Sequence, residues 1–424
     1  MSSARARPAG LFDRLRTIDP CAALICATIL GVATVPFHPF WLLAYVGWMV
    51  AGVVLLAASP QFRADLLAAP ERRRMVALFA FLALWQAAGI VARGEAADGR
   101  VWQATANIVT VFLFLITVLG ALRRDAGFAR WLLPAASIFV AIGAGWAMVQ
   151  QIWVQAEYWH MFPRLYLYGR AGNPIQAATV LAFASAAGLL ALRTTRGGLR
   201  LAVLVSLALN LAGLYLTYGR GPLIAFIVSG AITLVLAWMK PGRLRAAAAA
   251  VMILLAVALP TSLVLAEPVL NQLGCAQVSN AGVIGGGNEM CRTSYRLEIW
   301  HLAIRSIAAH PLFGAGPEAR IDHPLGEHPH NGYLSMAFYF GLPALAAYLG
   351  LIVNAIAAAL TRPAQPARRL ALWMLIFTLM FMAADLANPI SFINAYYLYL
   401  WLPMALALGY MPGHEDGAAA KAPV

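Results

Sequence analysis

The sequence predicts an all-α integral membrane protein of about 12 transmembrane helices, and three observations carry that expectation. Of its 424 residues, 62% are hydrophobic and 11% are charged, whereas a soluble domain carries about 25% charged residues. Apolar stretches long enough to cross a bilayer, about 20 residues each, recur along the whole chain. None of the Lys, Arg, Asp or Glu residues falls well inside one of them. These features exclude a soluble enzyme, a nucleic-acid-binding protein and a disordered chain.

The spans are expected near 21–37, 39–58, 75–92, 101–122, 131–155, 174–192, 201–217, 222–239, 246–266, 331–360, 370–384 and 389–410. Basic residues alternate between the connections. One side takes the arginines of the N-terminus, then Arg63 and Arg72 to Arg74, Arg123, Arg124 and Arg130. It continues with Arg193, Arg196 and Arg200, then Lys240, Arg243 and Arg245, then Arg362, Arg368 and Arg369, and finally Lys421. That side holds 21 basic residues against 7 acidic ones, and the other holds 9 against 10. By the positive-inside rule the first side is cytoplasmic, and both termini lie there. The net charge of +13 is thereby a matter of topology and anionic headgroups rather than a nucleic-acid footprint. The basic start followed by an apolar stretch reads as a retained first helix, with a secretory signal as the alternative.

Three regions follow: 1–266 with nine spans, a long outer loop at 267–330, and 331–424 with three spans. A loop of that length within a compact protein is functional or disordered. A helical stretch from Ser294 to Ala309 favours function. Cys275 and Cys291 lie in it. In an oxidising outer compartment they can close a disulfide contributing about 3 kcal/mol to local order; the alternative is two free thiols.

A helix N-terminus carries partial positive charge, so an arginine there is unfavourable unless an anion is present. Thr217-Tyr218-Gly219-Arg220-Gly221-Pro222 puts Arg220 at the start of a span, with the proline in its first turn. In Arg170-Ala171-Gly172-Asn173-Pro174, Asn173 can cap the span and Arg170 lies just upstream. Anion binding competes here with two ordinary turns bearing snorkelling arginines. In the loop helix, Leu297, Trp300, Ile304 and Ile307 form an apolar face at helical spacing, with Glu298, His301 and Arg305 opposite. Arg296 falls on the apolar side, where a charge needs a partner.

Five of the eight histidines lie between His301 and His330. Two prolines and a glycine in the 322–331 segment prevent one helix from presenting two histidines to a metal, so no metal site is expected from His323, Glu327, His328 and His330. Asn331 can cap the next span, which places His330 at its outer end. Histidine titrates near neutrality and accepts a proton from a hydroxyl; a structural histidine is the alternative. His328 can orient a substrate.

The strings Arg296-Leu-Glu-Ile-Trp300, His310-Pro-Leu-Phe-Gly314-Ala-Gly316 and His328-Pro-His330-Asn331-Gly-Tyr-Leu334, followed by Gly341-Leu342, resemble the bacterial O-antigen ligase and polymerase superfamily. Tyr218-Gly-Arg220-Gly and Gly172-Asn173-Pro174 resemble further motifs of that family. The resemblance implies a GT-C-like membrane fold with short helices in a long periplasmic loop between spans 9 and 10, in the bacterial inner membrane, with its active site on the periplasmic face. It implies an inverting, metal-independent glycosyltransferase that needs no cofactor and no nucleotide. The donor would be an O-antigen on undecaprenyl pyrophosphate, and the acceptor a sugar of lipid A-core. His330 would be the general base; Arg220, Arg296 and Arg170 would bind the donor pyrophosphate. His328, Asn331 and Tyr218 would orient substrate. Within the family, an O-antigen polymerase or a protein O-oligosaccharyltransferase is the alternative. From another class, a lipid flippase or secondary transporter would place ionisable groups near the membrane midplane, and this sequence has none there.

Overall fold

The computed structural model describes residues 19–33, 38–125, 127–161, 163–240, 242–265, 296–323, 327–361, 365–386, 388 and 390–409. Among them every regular element is helical: α1 (Pro20–Ala33), α2 (His38–Ala58), α3 (Pro60–Ala68), α4 (Pro70–Ala92), α5 (Trp102–Arg124) and α6 (Phe128–Met148). A π-helical turn at Val149–Val154 leads to α7 (Ala156–Met161), followed by α8 (Pro174–Ala191), α9 (Gly197–Leu216), α10 (Arg220–Trp238) and α11 (Arg243–Leu265). The rest comprises α12 (Arg296–Ala309), α13 (Gly332–Phe340), α14 (Leu342–Thr361), α15 (Pro366–Ala384), a π turn at Tyr397–Trp401 and α16 (Leu402–Leu408).

Eight of these helices are long and apolar enough to cross a membrane, or nine when the pair α2 and α3, bent by 92°, is taken as one span. Among the described residues that is fewer than the twelve expected over the whole chain. α1 and the 397–408 segment are apolar but shorter. The stretch 331–360 is not one helix. Gly341, at φ +86°, ends α13, and Pro343 sits in the first turn of α14. A side chain at 341 would run into the carbonyl oxygen of Leu312, and one at Gly314 into the backbone of Tyr339 and Phe340. The His310–Gly316 turn thus lies backbone to backbone against the break. Ala315 donates its N–H to Phe338 O (2.7 Å), and Leu342 donates to Pro311 O (2.8 Å). The Trp85 indole bridges both sides through Leu312 O and Phe340 O. A hydropathy run is blind to such a break because both halves are equally apolar.

α8 and α15 run through the centre of the bundle, α8 packed on α6 and α9, α15 on α10, α11 and α16. Trp48, Phe114, Tyr397 and Trp401 fill the space between α2, α5 and the C-terminal π turn. Residues that charge alternation assigns to one side do meet at one end: Arg123 pairs with Asp65, Arg124 with Asp19 at 3.4 Å, and Arg72 reaches Leu408 O.

Candidate functional site

Three elements converge at the opposite end. Asn331 accepts from Tyr333 N–H (3.0 Å) and Leu334 N–H (3.1 Å), capping α13 as its sequence position suggested. Its amide also donates to Ala383 O at the end of α15, and the Tyr333 hydroxyl donates to Leu379 O. Those bonds bind the start of α13 to the end of α15. Trp300 of α12 completes the junction by donating its indole N–H to Pro329 O (3.0 Å).

His330 sits at this junction with φ 49°, a left-handed backbone rarely adopted by a non-glycine residue. Its Nδ1 lies 3.1 Å from Asp385 Oδ1, and Asp385 Oδ2 lies 3.8 Å from an Arg296 Nη2. One carboxylate therefore faces both the predicted base and a predicted pyrophosphate ligand. At 3.8 Å the arginine contact is an ion pair without a hydrogen bond. The His328 ring lies 4.0 Å from that of His330. Burial, and then the neighbouring His330, push the His328 pKa below its ordinary value. His323 is engaged elsewhere, with Glu298 at 3.2 Å.

The buried stripe of α12 differs from the expected one. Ile299, Trp300 and Ala303 are buried, whereas Ile304 is half exposed. At about 100° per residue this turns the contact face by roughly 60° and puts Arg296 near its middle. Small Ala303 rather than bulky Ile304 is the enclosed residue. Arg305 is exposed, as expected.

A second group forms around the starts of α8 and α10. Asn173 caps α8 by accepting from Ile175 N–H, with Pro174 as its first residue. Arg220 opens α10, exposed, with its N–H donated to Tyr218 O. Tyr218 has φ 52°; together with His330 it makes the two non-glycine residues of positive φ among those described. Such strain concentrates at working sites. Gly219 packs against Ala178 with no space for a side chain, holding this turn to α8. Arg170 donates from Nε to Ile393 O (2.9 Å) and lies over the Phe392 ring at 5.6 Å. The segment it grips begins just after Asp385, which links the two groups.

Asp385, just past the end of α15, belongs to this junction although no motif in the sequence pointed to it. Cys275 and Cys291 lie outside the described residues. Among the described residues no three His, Cys, Asp or Glu side chains converge as metal ligands.

The helices and the polar junction at one end define a multi-pass membrane protein with a histidine–carboxylate–arginine site. Residues 202–349 match the O-antigen ligase family model, a stretch that contains Arg220, Arg296, His330 and Gly341. The match takes in about a third of the chain, and what it shows is a similarity to that family. It is 31% identical over 266 residues to an O-antigen ligase of Pseudomonas aeruginosa, a match covering 59% of this chain and 58% of that relative.

Proposed function

We propose that this protein is an O-antigen ligase that transfers a glycan from undecaprenyl pyrophosphate to a sugar of lipid A-core at the periplasmic face of the inner membrane. The observation that carries this reading is the His330–Asp385–Arg296 cluster, whose histidine and arginine lie within the stretch similar to the family. With Nδ1 hydrogen-bonded to Asp385, the His330 ring keeps Nε2 free to accept a proton. Asp385 holds the ring's orientation and stabilises the imidazolium that forms, as a carboxylate does behind other histidine bases.

The reaction is a single displacement. The acceptor hydroxyl oxygen bonds to the anomeric carbon while the bond from that carbon to the phosphate oxygen breaks. The hydroxyl proton passes to His330 Nε2, and the electron pair leaves with undecaprenyl pyrophosphate. Attack from the side opposite the leaving group inverts the anomeric carbon. A sugar hydroxyl is a weak acid, so its proton moves late. Arg296, Arg220 and Arg170 stabilise the charge growing on the leaving pyrophosphate, each contact contributing about 1.5–3 kcal/mol. These cations need no metal beside them.

Purified protein is mixed with undecaprenyl-pyrophosphate glycan and core-only lipopolysaccharide, with a chelator and no nucleotide. A gel shift of the lipopolysaccharide, lost in His330→Ala and Arg220→Ala, is the expected result. Lengthening of the lipid-linked donor instead would make the protein a polymerase. Movement of the lipid across liposomes without either product would make it a flippase.

A further inference from the structure

The end of the molecule remote from His330 contains arginines that this chemistry does not use. α11 begins Arg243-Leu244-Arg245, and α15 begins Pro366-Ala367-Arg368-Arg369. The two helices pack against each other, and the charges of Arg245 and Arg369 act on one another, so their N-termini lie side by side. Arg369 precedes Asp385 along α15 by roughly 24 Å of helical rise, which puts this pair on the opposite membrane face from His330.

Arg245 is only 5% exposed, although arginine is almost never fully buried unless paired. The Nε atoms of Arg245 and Arg369 are both buried without a hydrogen-bond partner. Among the described residues neither arginine takes part in an ion pair. Arg72, equally buried, also has an unpartnered Nε, but its terminal nitrogens donate to Leu408 O and Asp65 O. Arg245 is disfavoured by burial, by the like charge of Arg369 and by the positive end of its own helix. One anion between the helices relieves all three.

The geometry points to a phosphate-binding site between the N-termini of α11 and α15, built by Arg245 and Arg369 and occupied by the headgroup of an anionic phospholipid. Guanidinium groups grip phosphate oxygens in pairs, and two helix N-termini add backbone N–H donors. The pair lies where spans enter the membrane, at headgroup depth, and basic pockets between helices on that face take anionic headgroups. The site is independent of which glycan or acceptor the remote end handles.

The test is native mass spectrometry of the full chain in detergent, with phosphatidylglycerol, cardiolipin or phosphatidylcholine added. Wild type retains the anionic lipids in preference to phosphatidylcholine, and Arg245→Gln with Arg369→Gln weakens that retention roughly tenfold, one good charge-assisted contact. Equal retention by the wild type and a folded Gln variant would overturn the site. Should the Gln variant not fold, Arg245→Lys with Arg369→Lys keeps the charge but loses the planar fork; unchanged retention there overturns the proposal equally. A thermal shift produced fully by inorganic phosphate, with no further effect of lipid, would assign the site to a free anion and reject the lipid as its occupant.

Discussion

Asp385 Oδ1 lies 3.1 Å from His330 Nδ1, joining the end of α15 to the residue before the cap of α13. The same carboxylate reaches Arg296 with its other oxygen, so one acid governs both the base and a cation of the proposed site. Asp385→Asn keeps the shape and removes the charge, and the amide can hold the imidazole in the wrong tautomer. Glycan transfer should fall by about 100-fold or more. The check is the rate of lipopolysaccharide gel shift at matched protein level, with the melting temperature in detergent showing that the variant is folded.

His328 makes stability depend on pH. Burial, and then the neighbouring His330, lower its pKa in the folded protein, so the folded state binds fewer protons there than the unfolded chain. No penalty exists well above the unfolded value of about 6.5. Below it the unfolded chain gains the proton first, and stability falls as pH drops towards the folded value. His328→Gln should flatten that acid limb in melting curves between roughly pH 7 and 5. A limb of unchanged slope would place its origin in other groups.

Gly341→Ala should be among the most damaging single methyl additions. It combines a backbone at φ +86° with a collision against the Leu312 carbonyl, and should cost at least about 2 kcal/mol. Gly145→Ala is the control: a side chain there meets nothing within 4 Å, and α6 should gain up to about 1 kcal/mol from better helix propensity. Melting of both variants in one detergent measures the contrast.

Tyr218→Gly should separate stability from function. The backbone at φ 52° suits glycine, and the ring is 47% exposed, so stability should hold or rise by up to about 1 kcal/mol. If the ring orients donor beside Arg220, transfer should drop with the rise falling on KM. Equal loss of stability and activity would make Tyr218 purely structural.

The proposed site was only partly legible in the sequence. Asn173 and Asn331 announce their caps because capping is local, set by a short polar side chain just before an apolar run. Arg296 stood out because a charge on an apolar face needs a partner. That partner, Asp385, lies far along the chain at the end of another helix, and no periodicity connects the two. The break at Gly341 left a signal that hydropathy overrides: a glycine followed by Leu342 and Pro343, the signature of a helix ending and another beginning. The buried Arg245 and Arg368 were counted as loop charges, since a span's edge in sequence does not reveal how deeply neighbouring helices enclose it.

The break has a consequence for biogenesis. Nine residues rise about 14 Å, under half of a hydrocarbon core near 30 Å, so α13 is too short to be threaded as a span of its own. Its place is held instead by packing against α12, α14 and α15. The histidine and the aspartate, 55 residues apart, therefore meet only once α15 has been made, and a nascent chain halted before residue 385 holds no complete site.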